Sequence, residues 1–140
     1  MGERKPSGVR EIHIENSILD YLMIRQIFCW KARTVGTWDV NKSVFRRRSK
    51  RYMVGVADIV GIYKGVPLAI EVKTGNGYLR PDQKAFITRF IEEGGLAFVA
   101  RGPEDVEARL AEFDALKDNA KHVASVPVGG KDLVSGALGK

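Results

Sequence analysis

The chain holds one cysteine, Cys29, in 140 residues. No internal disulfide can form, and a reducing, cytoplasmic setting is expected. Between Phe28 and Trp30, Cys29 has the place of a small core residue and is given no chemical role. Histidine is nearly as scarce. His13 and His122 stand far apart without supporting ligands, which argues against a zinc site. No apolar run approaches the roughly 20 residues that span a bilayer, so no membrane partner is expected. The start, Met1-Gly2-Glu3-Arg4-Lys5-Pro6, leads into no apolar stretch, and no signal peptide is expected. The segment Gly75-Asn76-Gly77 lacks the lysine and hydroxyl of a phosphate-binding P-loop, which excludes nucleotide binding there.

Negative charge is also in deficit. Asp and Glu number 17 against 23 Lys and Arg, for a net charge of +6. That balance favours a polyanionic partner, because phosphate contacts release condensed counterions. The excess concentrates in Arg46, Arg47, Arg48, Lys50 and Arg51, within a stretch that has loop composition. A solvated loop is the plain explanation of this block. Phosphate gripping is the sharper one, and it would position DNA without reading sequence. Trp38 and Tyr52 flank the loop and are candidates for base stacking or for the core. Length and composition fit one globular domain, expected over residues 1–117. A tail at 118–140, drifting to Gly, Lys, Ser and Val, is expected to be extended or disordered.

Periodicity supplies the elements. Ile14, Ile18, Leu22 and Arg25 recur at helical spacing, predicting a first helix from about Arg10 to Gln26. Ile27 to Trp30 begins a β-prone run that extends toward Gly36. Val56–Tyr63 and Val66–Val72 are apolar runs joined by Lys64-Gly65, the pattern of a tight hairpin. Pro81 suits the first turn of a second helix, with Ala85, Phe86, Phe90 and Ile91 as its apolar side and Gly94-Gly95 as its end. Leu96–Ala100 is a short strand. A third helix starts at Pro103, with Val106, Leu110 and Phe113 as its stripe, and ends near Lys117. This α-β-β-β-α-β-α order predicts an α/β fold, a central mixed β-sheet flanked by helices. The last strand is set to run parallel to a hairpin strand after its helical crossover.

Chemistry concentrates in that hairpin. Glu71 and Lys73 are two apart in a strand and share a face, and the fold-back brings Asp58 across from Glu71. A solvent-facing hairpin with cross-strand charge pairs is the bland alternative. It fits poorly with strands that are apolar on both faces. Two partly buried carboxylates repel each other and lose hydration, and a divalent cation relieves both costs. Hard oxygen donors suit Mg²⁺ or Mn²⁺, with Asp58, Glu71 and the Val72 carbonyl as candidate metal ligands. Phosphodiester hydrolysis is the expected reaction, with Lys73 positioning the attacking water and stabilising the developing charge. Tyr78 and Arg80, in the loop after Lys73, are placed to touch DNA beside the cut.

The string Gly55-Val56-Ala57-Asp58-Ile59-Val60-Gly61-Ile62, with Glu71-Val72-Lys73, Gln83 and Gly94-Gly95, resembles the VRR-NUC family. This is the virus-type replication-repair branch of the PD-(D/E)XK nucleases, and the likeness runs from about Arg10 to Leu110. It implies a restriction-endonuclease-like fold and Mg²⁺- or Mn²⁺-dependent cutting of branched or structured DNA. It also implies a homodimer like the Holliday-junction resolvases, bacterial or phage-encoded. By the same likeness Gln83 faces the catalytic centre, and a glutamate on the first helix completes it. Glu15 is favoured for that role over Glu11, because Ile18, Leu19 and Leu22 follow it at +3, +4 and +7. Ala57 stands where many members have proline. That departure removes no ligand. A flap or end-processing nuclease, or a DNA-binding module without catalysis, are the rival functions.

Overall fold

The turn at Lys64-Gly65 organises the sheet. Both residues lie at positive φ, 48° and 81°, as a two-residue turn matched to strand twist requires. It joins β4 (Ile59–Tyr63) to β5 (Val66–Val72) in an antiparallel pair with Ile59 opposite Ile70 and Tyr63 opposite Val66. In the computed structural model, which describes residues 7–32, 37–39, 44–46 and 53–125, these strands lie at the centre of a four-stranded sheet. β1 (Phe28–Lys31) adds antiparallel to β4, and β6 (Leu96–Ala100) adds parallel to β5, giving the order β1-β4-β5-β6. The predicted mixed sheet of an α/β fold is therefore observed.

Three helices accompany the strands: α1 (Ser7–Ile24), α2 (Pro81–Glu92) and α3 (Pro103–Ser125). α1 packs against β1 and β5 through a stripe in which Ile18 and Leu22 are fully buried. It closes with Ile27 N–H donating to Leu22 O and Gln26 N–H to Met23 O, with Gln26 at φ 58°. This is the six-to-one and five-to-two bonding of a Schellman cap, here with glutamine at the left-handed position. α2 closes the same way at Gly94, where φ is 92°. It packs on β5 and β6, setting Phe86, Ile87 and Phe90 against buried Ala57, Ala69 and Ala97. Ala85 and Ile91, expected on that apolar side, are exposed.

Two segments depart from expectation. Residues 37–53 have loop composition, yet β2 (Thr37–Asp39) and β3 (Val44–Arg46) form an antiparallel pair with Trp38 opposite Phe45. The β-branched and aromatic residues Thr37, Trp38, Val44 and Phe45 carry that preference beside the basic block that obscures it. α3 runs to Ser125, so residues 118–125 are helical instead of beginning an extended tail. The segment Asp118–Ala124 is exposed, so no apolar period marks it. Alanine and lysine sustain a helix by propensity alone. Chain contacts divide the protein into a unit at 1–107 and a unit at 108–140. In the second, Arg109 pairs with Glu112 at 3.3 Å and Lys117 lies over the Phe113 ring at 5.1 Å.

Candidate active site

The site forms where β4 begins and β5 ends. Asp58 directly precedes β4, and the register that sets Ile59 opposite Ile70 sets Asp58 beside Glu71. Its backbone is held from one side, where its carbonyl accepts from Ala32 N–H at 2.9 Å. Its side chain is held from the other: Oδ2 accepts from Val72 N–H at 2.8 Å. The carboxylate thus takes a bond at the point where the strand pairing stops.

Glu71 lies near the end of the central strand and is 3% exposed. On β5 it shares a face with Ala69, the face that α2 covers. Gln83, also buried and in the first turn of α2, donates from Nε2 to Glu71 Oε1 at 2.7 Å. The other end of the same amide is used as well, since Gln83 Oε1 accepts from Arg80 N–H at 3.0 Å. Gln83 therefore serves at once as a helix-start cap and as a donor to a buried carboxylate. Lys73 completes the group, with Nζ 3.6 Å from Glu71 Oε1 and a side chain 12% exposed.

Burial first, and then the neighbouring Asp58 charge, push the Glu71 carboxyl up from an ordinary 4.5 to about 7, against the opposing pull of Lys73. Two acids side by side, one of them buried, hold a proton at neutral pH or attract a cation. The donor set fits a divalent ion of the Mg²⁺ class, which is bound through one or two carboxylates and keeps several waters. The bonds to Val72 and Gln83 engage one oxygen of each carboxylate. Among the described residues, no group of three or more His, Cys, Asp and Glu side chains gathers as a metal site.

Glycines set how closely these pieces approach. Gly55 has φ 73°, and a Cβ there would stand 2.4 Å from the backbone oxygen of Asp82 and 2.9 Å from Gln83 N. The segment that delivers Asp58 is thus in backbone contact with the helix start that delivers Gln83. Gly77 lies along the Lys73 stem, where a Cβ would meet Cδ at 3.3 Å.

Residues 38–104 match the model of the VRR-NUC domain. Over those residues, just under half of the chain, the protein is similar to the VRR-NUC family. The matched model describes a nuclease-type domain. The matched span includes Asp58, Glu71, Lys73 and Gln83 and begins after α1. A solved structure named "VRR_NUC domain protein" is similar to the chain at 19% identity and a TM-score of 0.46, over 72% of this chain and 84% of that one. No curated protein matches it.

The fold brings Asp58, Glu71, Lys73 and Gln83 together. Val72 is buried between Glu71 and Lys73 in sequence, its N–H engaged by Asp58. On α1, Glu15 is buried at 4% exposure and Glu11 is half-buried. Tyr78 is 87% exposed, and Arg80 is exposed and paired with Asp82 at 3.2 Å. Arg46 ends β3, while Arg47, Arg48, Lys50 and Arg51 lie outside the described residues, as does Tyr52. No described helix is long and apolar enough to cross a membrane. Sequence reasoning gave Gly55 and Gly77 no part in the site and passed over Arg101. The positive φ of Gly55 leaves no mark in a sequence beyond the glycine itself. Arg101 becomes a neighbour of the site only through the parallel pairing of β6 with β5.

Proposed function

We propose that the protein is a metal-dependent, structure-selective DNA endonuclease acting on Holliday junctions or other branched DNA. One observation carries the reading: Asp58 and Glu71 sit side by side at the sheet's end, with Lys73 Nζ 3.6 Å from Glu71. Asp58, Glu71 and the Val72 carbonyl would hold Mg²⁺ or Mn²⁺, which when bound makes a water nucleophilic and draws charge from the scissile phosphate. Lys73 orients the attacking water and offers its positive charge to the phosphorane oxygens. Gln83 fixes the carboxylate of Glu71 so that its orientation is set before substrate arrives. Glu15 is assigned as the further acidic residue in preference to Glu11, in keeping with its deeper burial on α1. Tyr78, Arg80 and the basic run at Arg46, Arg47, Arg48, Lys50 and Arg51 grip the backbone around the cut. Two copies about a dyad would supply the paired cuts that a symmetrical junction needs.

The test is a panel of labelled four-way junction, flap, nicked and linear duplex DNA, each with Mg²⁺ or Mn²⁺. The junction should be cut in preference, and Glu71→Ala or Lys73→Ala should abolish cutting while junction binding persists. Full activity in either variant would remove the catalytic assignment. Preferred cutting of the flap, together with a monomer by sedimentation, would replace the junction with an end-processing role.

A further inference from the structure

The proposed chemistry needs Lys73 at a fixed place, yet a lysine stem has four rotatable bonds and large rotamer entropy. What confines it is the turn that follows. Residues 74–77 close on themselves through Gly77 N–H donating to Thr74 O at 2.9 Å. The Gly77 end of that turn lies against the aliphatic stem of Lys73, within 3.3 to 3.4 Å of where a Cβ would stand. The backbone of Lys73 is held by its N–H donating to Ala100 O at 3.1 Å.

The next residue after Ala100 closes the arrangement. Arg101 sends Nη1 to Thr74 O at 2.6 Å and to Gly77 O at 3.1 Å, so one guanidinium nitrogen spans both ends of the turn. The arginine is itself anchored, since its backbone N–H donates to Asp105 Oδ2 at 2.8 Å in the first turn of α3. Charge-assisted bonds of this kind are stronger than neutral ones. The planar fork loses less freedom in making them than a lysine would.

We propose that Arg101 is a positioning residue for Lys73: it pins the 74–77 turn over the lysine stem and so holds the ammonium beside Glu71. This deepens the nuclease reading and rests on it. Arg101 is assigned no contact with the reacting phosphate, and it acts through the turn.

Arg101→Met keeps the length and removes the donors, and Arg101→Lys keeps the charge and one donating group. On the DNA of the four-substrate panel that the wild type cuts, single-turnover cleavage at saturating enzyme should fall about 10- to 100-fold in Arg101→Met, the range in which small misplacements act. The Kd for the same DNA in Ca²⁺ should change less than twofold, and Arg101→Lys should recover part of the rate. A merely structural role predicts a lower Tm with unchanged cleavage by the folded fraction, and that outcome overturns the proposal. A weaker Kd with an unchanged single-turnover rate also overturns it, and makes Arg101 a phosphate contact. A separate readout needs no cleavage. In ¹³C-labelled protein, the Lys73 Cε resonance, assigned by its loss in Lys73→Ala, should shift and average in Arg101→Met and hold in Arg101→Lys. An unmoved resonance refutes the clamp even if no DNA is cut. A wild type that cuts none of the four DNAs, with the resonance moving as expected, refutes the nuclease reading and leaves the clamp standing.

Discussion

Replacing Glu71 with glutamine separates the site's chemistry from the fold's stability. In the folded protein the Glu71 carboxyl is pushed up to about 7, and an unfolded glutamate titrates near 4.5. Below pH 4.5 the group is neutral in both states and costs nothing. From 4.5 to 7 the unfolded chain gives up its proton while the folded one keeps it, so stability falls as pH rises. Above 7 the folded protein carries the full cost of a buried anion beside Asp58. At about 1.4 kcal/mol per tenfold, the interval from 4.5 to about 7 corresponds to about 3 kcal/mol. Glu71→Gln removes that cost. Its carbonyl can still accept from Gln83 Nε2, which donates to Glu71 Oε1 at 2.7 Å. Its amide can donate to Asp58, turning a repulsion into a bond. Urea unfolding in EDTA at pH 5, 6, 7 and 8 should therefore show the variant gaining on the wild type with rising pH, by up to about 3 kcal/mol at pH 8. Adding Mg²⁺ should shrink the difference by stabilising the wild type more, as a ligand specific to the folded state does. A stability difference that does not change between pH 5 and 8, or a variant less stable at pH 8, would refute the reasoning.

Gly55→Ala must place a methyl where Asp82 O lies at 2.4 Å and must hold φ at 73°. It should destabilise the protein by about 2 kcal/mol and lower cleavage, with the Tm and rate measured together. Gln83→Ala takes the donor from buried Glu71 and the acceptor from Arg80 N–H. It should cost about 1 to 3 kcal/mol in urea unfolding and slow cleavage, whereas Gln83→Glu should fare worse still at high pH by adding a third charge.

The hairpin was plain in the residues themselves. Two apolar runs are joined by Lys64-Gly65, and a two-residue turn fixes the register that sets Tyr63 opposite Val66 and Ile59 opposite Ile70. The placement of Glu71 and Lys73 followed, and the likeness to VRR-NUC sequences pointed to Gln83. β2 and β3 escaped notice because three-residue strands offer too few alternations to outweigh neighbouring arginines. The end of α3 escaped notice because exposed helix carries no apolar period.

Local sequence determined what depends on near neighbours in the chain: the turn, the Schellman ends of α1 and α2, the apolar strand faces and the pairing of two acids across a hairpin. The tertiary structure decided what needs contacts between distant segments. Gln83 reaches Glu71 only because α2 packs back on β5, and Arg101 reaches the turn after Lys73 only because β6 runs parallel to β5. Such contacts rest on hydrophobic burial, which is non-directional and leaves no fixed spacing in a sequence. The unusual proton affinity of Glu71 has the same origin, since it follows from loss of water around a carboxyl when the helix closes over the sheet.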